Sequence, residues 1–170
     1  MATQTTRILG IDPGSHHMGI GCVEKTGNKL RLLFCEILHA PKNDTLYDRL
    51  EIIGGRFQKV LQDLRPDTVA VEDIFFAKNV RSAIYLGTAR GMAIGACLSQ
   101  GLKIHEYAPT LVKSVVTGHG RSDKVQVQKM VQLILGTRIE LGFDATDAVA
   151  VAICHANHLD RDRMVRRLST

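Results

Sequence analysis

The sequence predicts a mixed α/β fold: a sheet opened by three antiparallel strands and extended by parallel ones, with helices packed around it. Two observations carry this. Apolar, β-like runs at Arg7–Asp12, Gly19–Glu24 and Leu30–His39 open the chain, separated only by the short turns PGSHHM and KTGNK. Helical and strand patterns then alternate, so each later strand is reached through a helical crossover, which returns the chain parallel to its predecessor.

The elements follow in order. The second turn carries Gly27-Asn28, a pair suited to a tight hairpin. PKNDT then offers Asn43, Asp44 or Thr45 as a helix N-cap. Leu46, Leu50, Ile53, Phe57, Leu61 and Leu64 recur at helical spacing and stop before Pro66. A short strand is expected at Thr68–Glu72, a long helix at Val80–Gln100, and a strand at Lys103–Tyr107 leading into a helix after Pro109. The Gly-rich loop TGHGRSD precedes a helix whose Val127, Met130, Val131 and Ile134 share one face. A last helix starts at Phe143.

With 170 residues the chain matches one domain of roughly 150 residues. The expected division is a single domain over residues 1–160 and a basic tail over 161–170. No internal repeat, linker or low-complexity tract interrupts the pattern. The composition is 45% hydrophobic and 23% charged, that of a globular protein. A net charge of +5 tilts expectation toward polyanionic partners. Cys22, Cys35, Cys97 and Cys154 lie far apart in apolar runs, without zinc spacing, and are expected to pack as small hydrophobes. The N-terminal MATQTTR has no apolar signal core, and no run approaches the ~20 apolar residues of a membrane span. A cytoplasmic protein is expected.

Four carboxylates concentrate the chemistry. Asp12 ends the first strand and Glu72 the fourth, and in open α/β sheets ligands collect at the carboxyl ends of strands. If those strands are parallel neighbours, the two acids emerge side by side, while alternation sends Asp73 to the opposite face. In FDATDAVAVAICHA, Asp144 and Asp147 are three apart, on one side of a helix otherwise made of Ala, Val and Ile. Each has a plainer reading: Asp144 as N-cap, Asp147 paired with an arginine. Converging carboxylates repel, and no lysine flanks them in sequence, so a hard divalent cation is the expected neutraliser. Two such ions suit in-line phosphodiester hydrolysis, one activating water and the other stabilising the leaving oxyanion.

At these residues GIDPGS, VEDIFFAKN, LGTARGMAIGA, EYAPTLVKSVVTGHG and DATDAVAVAICH closely resemble the RuvC family, bacterial Holliday-junction resolvases of the ribonuclease H-like superfamily. The resemblance spans nearly the whole chain. It implies a ribonuclease H-like five-stranded mixed sheet, strands 1–3 antiparallel and 4–5 parallel to 1, flanked by helices. It also implies a homodimer that resolves four-way DNA junctions by symmetric nicking, with one or two Mg²⁺ per subunit and Mn²⁺ able to substitute. A branch-migration motor of the RuvA and RuvB type is the implied partner. By position the acidic, metal-holding site is Asp12, Glu72, Asp144 and Asp147. Lys113 and Lys124 match basic positions near the cleaved phosphate, and Phe75 matches an aromatic used at the junction's unpaired centre. One departure is visible: where family members commonly carry Arg and, two residues later, Thr after GIDPGS, this chain has His16, His17 and Met18. No Cys or further His is spaced to make a zinc site with that pair.

The expected DNA face joins Phe75, Lys78 and Asn79 after the acidic strand to Lys113, His119, Arg121 and Lys124 around the Gly-rich loop. Aromatic stacking on an unpaired base contributes ~1–3 kcal/mol regardless of sequence. Each also has a bland reading, an inward-packed ring or a solvated turn. Arg161, Arg163, Arg166 and Arg167 either extend the electrostatic footprint or form a frayed end. His155 and His158, about three turns beyond Asp144, are expected to be satisfied or surface histidines. The Gly- and Ala-rich segment of the long helix suits either a dimer contact or packing on the sheet. Three rivals remain at this stage: another ribonuclease H-like nuclease or strand transferase, half of an actin-like ATPase, and a non-catalytic junction-binding module.

Overall fold

The computed structural model describes residues 5–73 and 79–168, with side chains described as far as residue 159. Five strands form one sheet: β1 (Thr5–Asp12), β2 (His17–Thr26), β3 (Lys29–His39), β4 (Thr68–Glu72) and β5 (Lys103–Tyr107). Their order is β3-β2-β1-β4-β5, antiparallel from β1 to β3 and parallel across β1, β4 and β5. The expected architecture is therefore present. The first two strands run longer than their apolar stretches, because Thr5 pairs Thr26 and His17 pairs His39 at the polar ends of the hairpins. Gly27 turns the second hairpin at φ 57°, a left-handed conformation that glycine adopts without a Cβ penalty.

Helix α1 (Leu46–Leu64) starts at Thr45, the third of the three candidate caps. Thr45 and Asp48 form a reciprocal capping box, which satisfies two backbone donors that the first turn leaves unbonded. Ile53, Phe57 and Leu61 are its buried stripe, each worth roughly 1.5–3 kcal/mol of burial. Helix α2 (Val80–Ser99) joins α1 on that side, where Ala93 and Cys97 complete a core with Leu9, Ile11 and Ile20.

The opposite face carries α3 (Pro109–Thr117), α4 (Lys124–Leu135) and α5 (Phe143–Leu168). On α4 the buried ridge is Val127 and Val131, with Met130 and Leu135 against it. Ile134, expected on that face, is instead exposed. The packed row follows the i, i+4 line from Val127 to Leu135, as in ridge-into-groove packing, and Ile134 falls beside it. Helix α5 runs on to Leu168, so its backbone takes in residues 161–168 of the stretch set apart as a tail. Among the described residues no helix is long and apolar enough to cross a membrane.

Glycines fix how close α5 comes. A β-carbon at Gly10 would lie 1.9 Å from the Ala148 carbonyl oxygen, and at Gly21 2.4 Å from a Val149 methyl. With no side chains at these strand positions, the Ala- and Val-rich face of α5 rests directly on β1 and β2. All four cysteines are free. Burial pushes the thiols of Cys22 and Cys97 up to about 12 and that of Cys35 to about 11, consistent with packing rather than reactivity.

Candidate active site

Asp12 sits at the carboxyl end of the central strand β1, next to β4, whose last residue is Glu72. Parallel pairing thus delivers both acids to one end of the sheet. Asp73 is exposed, and its backbone N–H donates to the Tyr107 carbonyl, which closes β4 against β5. The other two acids arrive on α5. Gly142 accepts from the Thr146 N–H before the helix begins at Phe143, so Asp144 lies inside the first turn rather than capping it. Ligand oxygens of Asp12, Asp144 and Asp147 lie within 4.8 Å of one another. Glu72 shares a cavity of about 250 Å³ with Asp12 and Asp147, walled by Pro109, Val112, Lys113 and Lys124.

The cluster is electrostatically unfavourable by itself. Burial chiefly, then Glu72, Asp147 and Asp144, pushes the Asp12 carboxyl up to about 8, with Lys124 opposing. Burial and then Asp147 push Glu72 up to about 7, against the pull of Lys124 and Lys113. Acids this perturbed, converging with free oxygen lone pairs, fit a hard divalent cation that accepts several oxygen ligands. Among the described residues this is the one cluster of three metal-competent side chains, and neither His16 nor His17 belongs to it.

A lysine reaches the acids although none flanks them in sequence, and it is one of the two that the family resemblance implies near the cleaved phosphate. Lys124, the first residue of α4, places Nζ 3.1 Å from Asp147 Oδ2 and 5.8 Å from the ring centroid of Phe143. The reason is topological: Lys124 lies well before Asp147 in sequence, but α4 packs beside α5 and brings its first residue to the acids. Burial works against the Lys124 charge, yet the hydrogen bond and ion pair with Asp147, helped by Asp144 and Asp12, hold its ammonium above the usual lysine range. The partner of Asp147 is thus a lysine and not an arginine.

The remaining expected residues divide. Lys113 lines the acidic cavity, while His119 and Arg121 line a second one of about 470 Å³ with Thr117, Ser122, Gln126 and Met130. Asn79 accepts from the N–H groups of Arg81 and Ser82 and so caps α2. Phe75 and Lys78 lie outside the described residues. His155 is buried and satisfied, within 2.7 Å of the Tyr107 hydroxyl and 3.3 Å of Thr68 Oγ1 and stacked on His105. Burial, with His105 and His158, lowers it to about 4, so it sits neutral in the core.

Sequence reasoning misses three contributors. In the sequence Phe143 marks only a helix start, although an aromatic adjoining Asp144 is a signal. Thr117 and Ser122 went unremarked. The Thr117 hydroxyl lies 2.8 Å from the Lys113 carbonyl and 2.6 Å from the Ser122 hydroxyl, which donates in turn to the His119 carbonyl. This ties the basic loop between the two lysines, but a Thr and a Ser five residues apart carry no recognisable pattern.

A family model described as crossover junction endodeoxyribonuclease RuvC matches residues 8–155. The chain belongs to the RuvC family. RuvC of Trichlorobacter lovleyi is 47% identical over 151 residues, covering 89% of this chain and 85% of the relative. RuvC of Oleidesulfovibrio alaskensis is 42% identical over 99% of both chains. Among solved structures, Thermus thermophilus RuvC in complex with a Holliday-junction substrate superposes with a TM-score of 0.84 at 35% identity, covering 91% of this chain and 94% of that one. The yeast mitochondrial Holliday-junction resolvase shares the fold at 12% identity and a TM-score of 0.67, over 100% of this chain and 89% of its own. The fold and the family agree. RuvC nucleases use a divalent metal, which fits the acidic cluster here.

Proposed function

We propose that this chain works as a dimeric, Mg²⁺-dependent resolvase: a crossover junction endodeoxyribonuclease that nicks two opposed strands of a four-way DNA junction in recombination and repair. The observation that carries the reading is the convergence of three aspartates within 4.8 Å, beside Glu72 and two lysines, in a chain of this family. A junction-binding module would keep these half-buried, mutually repelling acids at a cost to stability and with no use for them. An actin-like ATPase needs a second domain around its nucleotide. A hybrid nuclease shares the acids, but the family match favours junction DNA.

Asp12, Glu72, Asp144 and Asp147 would hold one or two Mg²⁺, with Mn²⁺ able to substitute. Bound there, the metal supplies an activated water and charge stabilisation at the leaving oxygen. The chain's own cations do the rest. Lys113 and Lys124, both on the cavity wall, bind the scissile phosphate and offset charge that develops on it. Phe143 steadies the Lys124 ammonium. His119 and Arg121 hold the neighbouring backbone. Asn79 contacts the strand beside Phe75 and Lys78, where Phe75 stacks at the junction centre.

A C2 dimer supplies two identical sites for two opposed strands. Support comes from α2: Val80, Ile84 and Leu98 are 76%, 59% and 57% exposed, and a β-carbon on Gly87, Gly91 or Gly95 would meet nothing within 4 Å. That face is apolar, open and smooth enough for a second helix. Family membership supports a RuvA- and RuvB-type motor as partner and a cytoplasmic site of action.

The test is a nicking assay on a synthetic four-way junction with a homologous, mobile core, read on a denaturing gel. Paired symmetric nicks that require Mg²⁺, disappear in EDTA and vanish in Asp12→Asn with junction binding retained are expected. Equal cutting of linear or hybrid substrates would overturn the substrate, and binding without cleavage would overturn the catalytic reading.

A further inference from the structure

The His16-His17-Met18 departure puts a second pair of donors beside the acidic site. His17 and His39 oppose each other in the β2–β3 register, with their Nδ1 atoms 2.7 Å apart. The rings meet edge-on, 4.8 Å between centroids at 78°. Such a contact needs one Nδ1 to carry the proton that the other accepts, which leaves both Nε2 atoms outside the shared bond. Both side chains are exposed, unlike rings packed to stabilise a hairpin.

Strand alternation fixes which face they occupy. His17 shares its face with Gly19 and Gly21, both of which lie against α5. His39 shares its face with Ile37, which approaches Gly142, and with Cys35, whose thiol reaches the Ala145 carbonyl. This is the catalytic face: Gly19 pairs with Asp12 and touches the Asp144 carbonyl oxygen. From strand spacing and rise, the His17 Cα lies roughly 8 Å from that of Asp12. Along the sheet order the imidazoles stand on the β3 side of the carboxylates, while Lys113 and Lys124 line the cavity that they share with Glu72 of β4.

The surroundings favour an anion. Among the described residues neither imidazole pairs with a carboxylate. His16, against the His17 ring, has Arg49 and Lys42 as its charged neighbours. Arg49 is 3% exposed and held by the Thr45 carbonyl, His16 and the Tyr85 ring, with no carboxylate among its described partners. A buried guanidinium with no carboxylate among its described partners adds a positive field at this end of the sheet, from the α1 face.

We infer that His17 and His39 form a second phosphate site, holding the DNA backbone one or two nucleotides from the scissile phosphate, on the side opposite the lysines. The inference rests on the proposed resolvase function. An Nε2–H donates to a non-bridging oxygen, so a strand crossing the acids is gripped on both sides.

The experiment measures the affinity of fluorescent four-way junctions by anisotropy in Ca²⁺. Wild type is compared with His17→Thr/His39→Thr, a change that suits exposed strand positions. Each junction carries one neutral methylphosphonate, stepped along the strand around the cleavage point. The expected result is about 5- to 10-fold weaker binding by the variant, and a methylphosphonate position that weakens wild type but not the variant. Wild-type-like affinity in the variant, or an identical methylphosphonate profile for both proteins, would overturn the phosphate site. Thermal melting of the variant checks its fold, and the single replacements His17→Thr and His39→Thr repeat the profile if the double variant melts early. Failure of wild type to prefer junctions over duplex would instead sink the resolvase reading itself.

Discussion

A β-carbon on Gly19 would lie 2.0 Å from the carbonyl oxygen of Asp144. The backbone that pairs with Asp12 therefore touches the backbone that carries Asp144, and this contact sets the separation of two acids from opposite ends of the chain. Gly19→Ala must push the start of α5 away. The expected result is a loss of about 1–3 kcal/mol of stability from overpacking. Nicking should fall about 100-fold through the displaced aspartates. Melting and single-turnover nicking check it, with Gly55→Ala on open helix surface as the contrast, expected to gain up to about 1 kcal/mol.

The raised carboxyls make a pH prediction for the metal-free protein. Asp12 at about 8 and Glu72 at about 7 hold protons in the folded state that the unfolded chain releases near pH 4. Between those values the folded state binds more protons, so stability falls as pH rises from about 5 to 8. Asp12→Asn should flatten that slope and raise the metal-free melting temperature at pH 8 by about 4–8 °C, on the order of 2 kcal/mol. Mg²⁺ at 100 times its dissociation constant should stabilise wild type at pH 8 by about 2.7 kcal/mol, and Asp12→Asn much less. Calorimetric melts across pH, with and without Mg²⁺, measure all of this.

Lys124 and Phe143 should separate in magnitude. Removing the ammonium in Lys124→Ala is expected to lower single-turnover nicking by about 10²–10³-fold while junction affinity changes little. Phe143→Leu removes only the ring beneath it, a contact worth about 0.5–1 kcal/mol, and should cost about 2- to 5-fold. Equal losses from both variants would show the ring positions more than this lysine.

The exposed face of α2 makes a prediction about assembly. Ile84→Glu with Leu98→Glu adds charge to a surface that a dimer would bury, and should yield monomers by light scattering with unchanged far-UV circular dichroism. Paired nicking should then become single and uncoordinated. A variant that stays dimeric would move the interface elsewhere.

By itself the sequence determined the strand order of function: which strands carry Asp12 and Glu72, that Asp144 and Asp147 share a helix face, and that crossover helices make β4 and β5 parallel to β1. These are local signals, period and punctuation, and they reach as far as neighbouring elements. Tertiary structure decided which side chains meet between packed elements. Lys124 answers Asp147 because α4 packs on α5, though no lysine adjoins the acids in sequence. Ile134 leaves the core because the packed ridge follows Val127 to Leu135. His17 and His39 become a pair because the register of β2 and β3 aligns them 22 residues apart. Periodicity tells which side of an element faces inward, but the partner on that side is set by close packing between segments whose sequence separation carries no pattern.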